Sequence, residues 1–581
     1  MTRIREVEIN NFRGIKKLIW HPSNGINCLI GCGDSGKSSV LDAIDLCIGA
    51  RKNWSICDAD FYQLDIENSI KISVTIGGLS DSLKNIDKYG YYLRGFDSKT
   101  SKIEDEPDNN KLEDVLTVIV IVNEDLEPTW SLFSERTSDN DFNRYLTWSD
   151  RMSLSPTRIG NTSDYNLSWK KGSILNKISE EKINSDTSVE LAAAVRNARR
   201  NFIIDSNKLS NKLLQGLIII QNTTEELGIK TGGSVKPLLD VDSINLNAGV
   251  VALHDSNNIP LKNLGTGSTR LLIAGLQKKA AQSSSVILID ELEYGLEPHR
   301  IIRLLSSLGA KEKNDPLQVF MTTHSPTALK ELSANQLYIL KEEEKEHKCV
   351  LVASQENTQA TIRSNPEAYL ASAILVCEGS SEVGFIRGID QHRTEADKLT
   401  SIHALGVALV DADGSQNILK KALPMLKLGY KVAILKDNDQ EKLKKEDEAN
   451  FIKLGGKVFT WQDNFALEDQ IFHDICNNSV EQVLNYLKNN SINVDENIKS
   501  ALNGKYDLKQ HMELLSSPDG GDRLMARKYL AKAAKAKANS WFKSISRMEE
   551  VTYSIIAPNL SNAEPYLRKK IEEIFEWSKC E

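Results

Sequence analysis

The chain has 581 residues, with 72 Lys and Arg against 80 Asp and Glu and a formal net charge of −8. That length is more than one hydrophobic core supports, so two or three domains are expected. A hydrophobic content of 40% and a charged content of 26% are ordinary for a globular chain, and no apolar run reaches the roughly 18 residues of a membrane-spanning helix. An acidic balance does not exclude nucleic acid as a partner, because binding depends on local clusters of base. Eight scattered cysteines without a CxxC pair argue against a zinc site or a disulfide framework. They fit a reducing, cytoplasmic setting. The opening MTRIREVEINNFRG lacks the apolar stretch of a secretory signal.

In chain order, REVEINNFRGI reads as a strand and GINCLIG as a buried strand ending in glycine. SSVLDAIDLCIGA has helical spacing, and SIKISVTIGGL and VLTVIVIVNED are strand-like runs rich in Ile and Val. Residues about 97–112 are polar and acidic, as in a surface loop, and about 130–175 read as irregular. From about 183 to 228 the pattern becomes helical, as for a hairpin inserted between two halves of one domain. Alternating strands and helices return from about 260 to 345. A polar stretch at about 341–368 precedes a second α/β unit whose strands are AILVCEG, IHALGVALVDADG, YKVAILKDND and KVFTW. Such alternation implies a parallel, helix-covered sheet, so the expected fold class is α/β. The remainder, from about 476, reads as mostly helical. The expected boundaries are 1–175 and 236–345 for the two halves of the first domain, 176–235 for the insert, 346–370 for a linker and 371–581 for the second domain.

Gly31-Cys32-Gly33-Asp34-Ser35-Gly36-Lys37-Ser38 is a complete GxxxxGK[ST] loop between an apolar strand and a helix. Its glycines let backbone N–H groups face phosphates, and the helix N-terminus adds a favourable dipole. The candidate ATP-binding residues are Gly31, Gly33, Asp34, Ser35, Gly36, Lys37, Ser38 and Ser39, with Lys37 on the β/γ-phosphates and Ser38 on Mg²⁺. The strand Val286 to Ile289 runs into Asp290 and Glu291, which suit the Mg²⁺ shell and the polarisation of the attacking water. His324 follows another apolar strand, in the position of a γ-phosphate sensor. Asn263 to Leu271 resembles an ABC signature loop, with Gly265, Gly267 and Ser268 able to face a phosphate across a dimer, although it departs from LSGGQ. The resemblance to ABC-type ATPases implies a homodimer at least. The roughly 226 residues between the two loops lack the long heptad run of a coiled-coil arm.

In the second α/β unit, carboxylates gather at strand ends: Glu378 and Glu382, Asp411 and Asp413, Asp437 and Asp439, and Glu468. In a parallel sheet these positions lie on the carboxyl edge, where α/β sites form. Clustered carboxylates repel unless a cation neutralises them, and oxygen-only ligands favour Mg²⁺, Mn²⁺ or Ca²⁺. An EG dipeptide after the first strand and a DxD after a later one resemble the TOPRIM fold. With Glu382, Asp413 and Glu468 added, the whole chain resembles the OLD (overcoming lysogenisation defect) nucleases, an ABC ATPase with a helical dimerisation insert followed by TOPRIM. The Gabija nuclease subunit and some retron nuclease effectors share that architecture. The resemblance implies metal ligation by Glu378, Glu382, Asp413, Asp437, Asp439 and Glu468, with Asp411 a doubtful extra. It also implies a late lysine near the scissile phosphate, Lys543 or alternatively Lys537.

Residues 523–548 hold eight Lys or Arg and no acid, and Lys528, Lys532 and Lys535 fall on one helical face. Together with Lys537 and Lys543 they are candidate phosphate-backbone contacts, a solvated face being the plainer reading. Arg196, Arg199 and Arg200 form a second, weaker basic cluster. The expected activity is metal-dependent cleavage of DNA under nucleotide control in phage defence. A retron reverse transcriptase with its msDNA, or a helicase-like subunit, is the partner the resemblance implies. The alternative is a RecF- or SMC-like DNA-binding ATPase without nuclease activity.

Overall fold

A computed structural model describes residues 2–579 except 51–53, 107–111, 138–143, 161–166, 168–210, 240–250, 280–285, 313–314, 316, 356–357, 440–444, 491, 505 and 537–539. The chain forms two compact units, Met1–Ser354 and Gln355–Glu581.

The first unit is built on one 13-stranded sheet. Toward one end of it, among the described residues, three short apolar strands, Ile26–Ile30, Gln318–Thr322 and Val286–Ile289, pair in parallel and are buried at every residue. Continuous burial is what a strand covered on both faces requires, and it explains why INCLI, QVFMT and VILI do not alternate. The other wing is antiparallel, with Arg3–Phe12 paired to both Ile15–Trp20 and Ile70–Gly77. There Ile15–Trp20 alternates buried and exposed residues, as expected of a sheet with one solvated face. The helix Lys37–Ile48 buries Val40, Leu41, Ile44 and Leu46, each such side chain contributing about 1.5–3 kcal/mol.

Two expectations change here. The stretch at 130–175 is partly regular: Pro128–Phe133 pairs antiparallel with Glu113–Val122, Trp148–Leu154 is a helix, and Thr157–Ile159 pairs in parallel with Val286–Ile289. The elements are too short for local periodicity to reveal: Pro128–Phe133 forms as the second arm of a hairpin, and Thr157–Ile159 through pairing with a strand far along the chain. The expected linker at 346–370 is also folded. Glu346–Leu351 is a hairpin partner of Leu337–Glu343, and Thr358–Ser364 is a helix. Its polar composition is that of a sheet strand whose His347 is buried while Glu346 and Lys348 are exposed. Of the expected helical insert, the helix Asn211–Glu226 is described; most of the rest, with Arg196, Arg199 and Arg200, lies outside the described residues.

The second unit holds a four-stranded, all-parallel sheet in the order Val407–Asp411, Ala373–Cys377, Lys431–Lys436, Lys457–Thr460. The register sets Cys377 beside both Asp411 and Leu435, and Lys436 beside Thr460. The residues following each strand therefore collect on one edge. The helix Ser380–Glu395 leaves that edge and meets the later helix Ile545–Val551 at two glycines. A Cβ on Gly384 would lie 2.5 Å from the Ile545 carbonyl, and one on Gly388 would lie 2.6 Å from the Glu549 carbonyl. This close approach, with Ser381 Oγ donating to the Phe542 carbonyl at 3.1 Å, brings Lys543 next to the strand ends.

Candidate functional site

In the first unit Gly36 has φ 86° and immediately precedes the helix Lys37–Ile48. Only glycine adopts that conformation without a Cβ penalty. The Lys37 ammonium curls back over the loop, donating to the carbonyls of Cys32 (2.6 Å) and Gly31 (3.3 Å) and to Ser35 Oγ (3.2 Å). Burial lowers its pKa, against the pull of Cys32, Asp34 and Asp290. Gly33, Asp34 and Ser38 are exposed, with Ser39 half-buried on the first turn.

The strand register puts Ile289 beside Met321, so the next residues, Asp290 and Thr322, are neighbours. Asp290 Oδ1 accepts from Ser38 Oγ at 3.0 Å and from Thr322 Oγ1 at 2.6 Å. Thr322 Oγ1 in turn accepts the Glu291 N–H at 2.8 Å, leaving Glu291 exposed at φ 47°. Beneath them lies Arg270, 1% exposed. It donates to the carbonyls of Asp290 (2.7 Å), Glu291 (2.9 Å) and Tyr294 (2.7 Å). Glu293 accepts from Thr323 Oγ1 at 2.6 Å and from the His324 N–H at 2.8 Å, and His324 is exposed.

The expected signature loop is rearranged. Helix Thr266–Lys279 begins inside it, so Gly267 is buried where a Cβ would lie 2.4 Å from the Gly295 carbonyl. Ser268 Oγ accepts from Arg300 at 3.2 Å. Gly265 and Thr266 are exposed at the helix start, and Gly267 is a point of close packing in the single chain.

In the second unit Glu378, Glu382 and Glu468 are 9%, 4% and 8% exposed. Glu378 Oε2 accepts the Asp437 N–H at 3.0 Å, Asp437 Oδ1 accepts the Leu467 N–H at 3.0 Å, and Glu382 Oε2 accepts the Gly379 N–H at 2.9 Å. Burial, followed by the charges of Asp437, Glu468 and Glu378, drives the Glu382 pKa well above the carboxylate range. Asp437 is raised well above it too, by burial and then by Glu378, Glu468 and Asp439. Glu468 is raised by burial and held back by Lys535 and Lys543. Five of the six expected acids thus act on one another.

Asp413 is the exception. It is exposed at φ 58° and holds Asp411 Oδ1 through its backbone N–H at 2.8 Å. Asp411, not Asp413, turns toward the helix start, accepting from Ser380 Oγ at 2.5 Å. A DxD after a strand leaves the choice between its two acids to the turn that follows, here Asp413-Gly414.

The basic stretch divides as well. Lys528 and Lys532 are exposed on the helix Gly520–Ala534, and Lys543 is exposed. Lys535, expected on the same face, instead caps that helix half-buried and pairs with Asp469. Burial of the acids at this edge draws in the nearest cation. Lys537 lies outside the described residues.

The donor set at this edge is oxygen only and its charges are uncompensated, which fits a hard divalent cation. Among the described residues no group of three or more His, Cys, Asp or Glu side chains stands in an arrangement that could hold a metal ion. The backbone N–H groups of residues 379, 437 and 467 hold the acids instead. A carboxylate has two oxygens, so that bond does not preclude ligation.

Sequence reasoning missed Thr322, Arg270, Glu293 and Asp469. The buried polar run TTHS hinted at the first, but an arginine inside an amphipathic helix gives no signal of its partners.

A phosphate loop after a buried parallel strand, with an Asp at the end of the next strand but one bonded to its serine, defines a P-loop nucleoside triphosphatase. Residues 3–329 match the AAA ATPase domain family, and the chain belongs to it. Over 386 residues the chain is 24% identical to an ATP/GTP phosphatase of Helicobacter pylori, covering 62% of this chain and 94% of that protein. Over 369 residues it is 22% identical to the DNA replication and repair protein RecF of Streptococcus thermophilus, covering 57% and 95%. An Smc head domain from Pyrococcus furiosus aligns at 15% identity and TM-score 0.38 over 60% of this chain and 96% of that one. The second unit lies outside the family match. No helix among the described residues is long and apolar enough to cross a membrane.

Proposed function

We propose that the chain is an ATP-regulated, divalent-metal-dependent DNA endonuclease of the OLD type, its second unit a TOPRIM nuclease. The observation that carries this is the second unit's sheet edge. There Glu378, Glu382, Asp437 and Glu468 repel one another in a buried setting while Lys535 and Lys543 stand beside them. Glu378, Glu382, Asp437, Asp439 and Glu468 would hold the cation, with Asp411 closer to them than Asp413. When bound, Mg²⁺ or Mn²⁺ lowers the pKa of a water and offsets charge on a phosphodiester. Lys543 would sit against the scissile phosphate, and exposed Lys528 and Lys532 would follow the backbone. In the first unit Lys37 and Ser38 would hold ATP and Mg²⁺, Glu291 would polarise water and His324 would read the γ-phosphate. A homodimer, and a role in anti-phage defence beside a retron reverse transcriptase or a helicase-like subunit, follow from the OLD resemblance.

The second reading is a DNA-binding ATPase without nuclease activity. It is favoured by the span of the RecF match and by the lack of a closed metal cage among the described residues. Supercoiled plasmid incubated with the purified chain, Mg²⁺ or Mn²⁺, and ATP present or omitted separates the two. Nicked or linear product that disappears in Asp437→Ala, with ATP turnover kept, supports the nuclease. DNA binding without product under every condition supports the second reading, and equal cutting by Asp437→Ala overturns the site.

A further inference from the structure

The second unit also carries a half-open cavity of about 380 Å³, away from its carboxylate edge. One wall is the far end of the helix Ser380–Glu395, with Ile389, His392 and Arg393. Another is the chain from Ala557 to Ser561, and the third comes from the helix Pro565–Ser578, with Arg568, Ile571 and Glu572. Glu382 and Arg393 are eleven residues apart on one helix, so the cavity stands roughly 16 Å along the axis from the acids.

Two guanidinium groups line this cavity, and each has a buried Nε with no hydrogen-bond partner. A buried N–H without an acceptor costs about 1–3 kcal/mol. Arg393 is held over the Phe575 ring, 4.4 Å from its centroid. Arg568 is followed four residues later on its helix by Glu572, at the spacing that closes ion pairs on helices, and Asp397 lies just past the end of the Arg393 helix. Among the described residues neither pair is closed, and all four side chains line the cavity instead. The Ala557–Ser561 wall follows a π-helical turn, Thr552–Ile556, a feature that frequently marks functional sites.

We propose that this cavity is a second ligand site, for the phosphomonoester of a nucleotide. A phosphomonoester carries three terminal oxygens and a charge near −2, enough acceptors for two forked guanidiniums with His392 and Ser561. A carboxylate, with two oxygens, is saturated by a single fork. Ile389, Pro558 and Leu560 give the base and sugar an apolar bed, and Asp397 and Glu572 accept from their amino and hydroxyl groups. The volume lies at the lower end of the roughly 300–1,000 Å³ usual for small-molecule pockets. The same chemistry is offered by a free mononucleotide and by the 5′-phosphorylated end of a DNA strand.

The test uses the full chain carrying Lys37→Ala, so that the P-loop does not compete. It is titrated calorimetrically with AMP, and with a short single strand bearing either a 5′-phosphate or a 5′-hydroxyl. Saturable AMP binding identifies the free nucleotide as ligand. A preference of about tenfold for the 5′-phosphate strand identifies a strand end. Either should weaken by tenfold or more in Arg393→Gln/Arg568→Gln, with Arg393→Lys/Arg568→Lys falling between, since the charge stays and the fork is lost. Thermal unfolding of each variant, and ATP turnover when Lys37 is intact, report that the fold has survived. No saturable binding of either probe overturns the proposal, as does binding that persists unchanged in a folded double-glutamine or double-lysine chain.

Discussion

The two carboxylate-bearing sheet edges of this chain handle their charge in opposite ways. In the first unit Asp290 accepts two hydroxyls, lies near the Lys37 ammonium and stands over an arginine that ties down its backbone. The edge is satisfied before any nucleotide arrives. In the second unit four acids share a buried space with backbone N–H groups and the nearby Lys535 and Lys543, and burial with mutual repulsion raises Glu382 and Asp437 well above the usual carboxylate range and Glu468 above it. A preorganised site spends little on reorganisation when its ligand binds. An uncompensated one stores electrostatic cost that only a cation or protons relieve. The difference teaches where to look for regulation by metal and pH, and four measurements test it.

The largest effect is expected from Lys37→Ala. Removing the ammonium that reaches the phosphates should lower ATP turnover by about 10²–10³-fold, a loss of roughly 2.7–4 kcal/mol of transition-state stabilisation. Metal uptake by the second unit, followed by calorimetry with Mn²⁺, should be unchanged. If uptake falls in step, the two edges are not independent.

Next is Arg270→Met, which leaves three carbonyls buried without their donor. Hydrogen bonds to a charged group contribute about 1.5–3 kcal/mol each and are not additive, so a loss of about 3–5 kcal/mol in denaturant unfolding of the first unit is expected. ATP turnover should drop with it, because Asp290 and Glu291 lose their footing. A loss under about 1 kcal/mol would show that water replaces the guanidinium.

The third measurement concerns pH. Glu382 and Asp437 have folded-state pKa values raised above those of the unfolded chain. Their native state therefore binds more protons, and stability falls as pH rises. In metal-free protein this contribution is complete below the ordinary carboxylate range, about pH 4, and is lost as pH climbs through the raised values. The unfolding midpoint of the second unit in EDTA should decline toward alkaline pH, and excess Mg²⁺ or Mn²⁺ should flatten the decline. Glu382→Gln should flatten it without metal. A metal-free midpoint that rises with pH would mean the acids are compensated by groups not identified here.

The smallest effect is expected from Lys535→Met. Its partner Asp469 is partly exposed, and such pairs contribute about 0–1 kcal/mol. Stability should hardly move, while the metal-free decline with pH should steepen, because Glu468 loses a neighbouring cation.

Much of this was legible in the sequence. The GxxxxGK[ST] loop, the apolar strands before Asp290 and His324, and the acids after four strands of the second unit each carry a local signature, and the fold places them on two sheet edges. What escaped depends on pairing and packing rather than on local pattern. Pro128–Phe133 and Glu346–Leu351 become strands as hairpin partners of Glu113–Val122 and Leu337–Glu343, and Thr157–Ile159 only beside Val286–Ile289 far along the chain. The choice of Asp411 over Asp413 is made by a left-handed turn, and the diversion of Lys535 by an acid 66 residues away. Gly267 is also the point where a helix start passes against Gly295, a contact that its sequence neighbours do not announce.

One arrangement has a mechanical consequence. Glu293, two residues beyond Glu291, clasps both the Thr323 hydroxyl and the His324 amide. The segment bearing the water-polarising candidate and the segment bearing the γ-phosphate candidate are therefore latched together and shift as a single piece. A displacement imposed at His324 would be passed toward Glu291 through one carboxylate, so the two candidate residues share a common hinge.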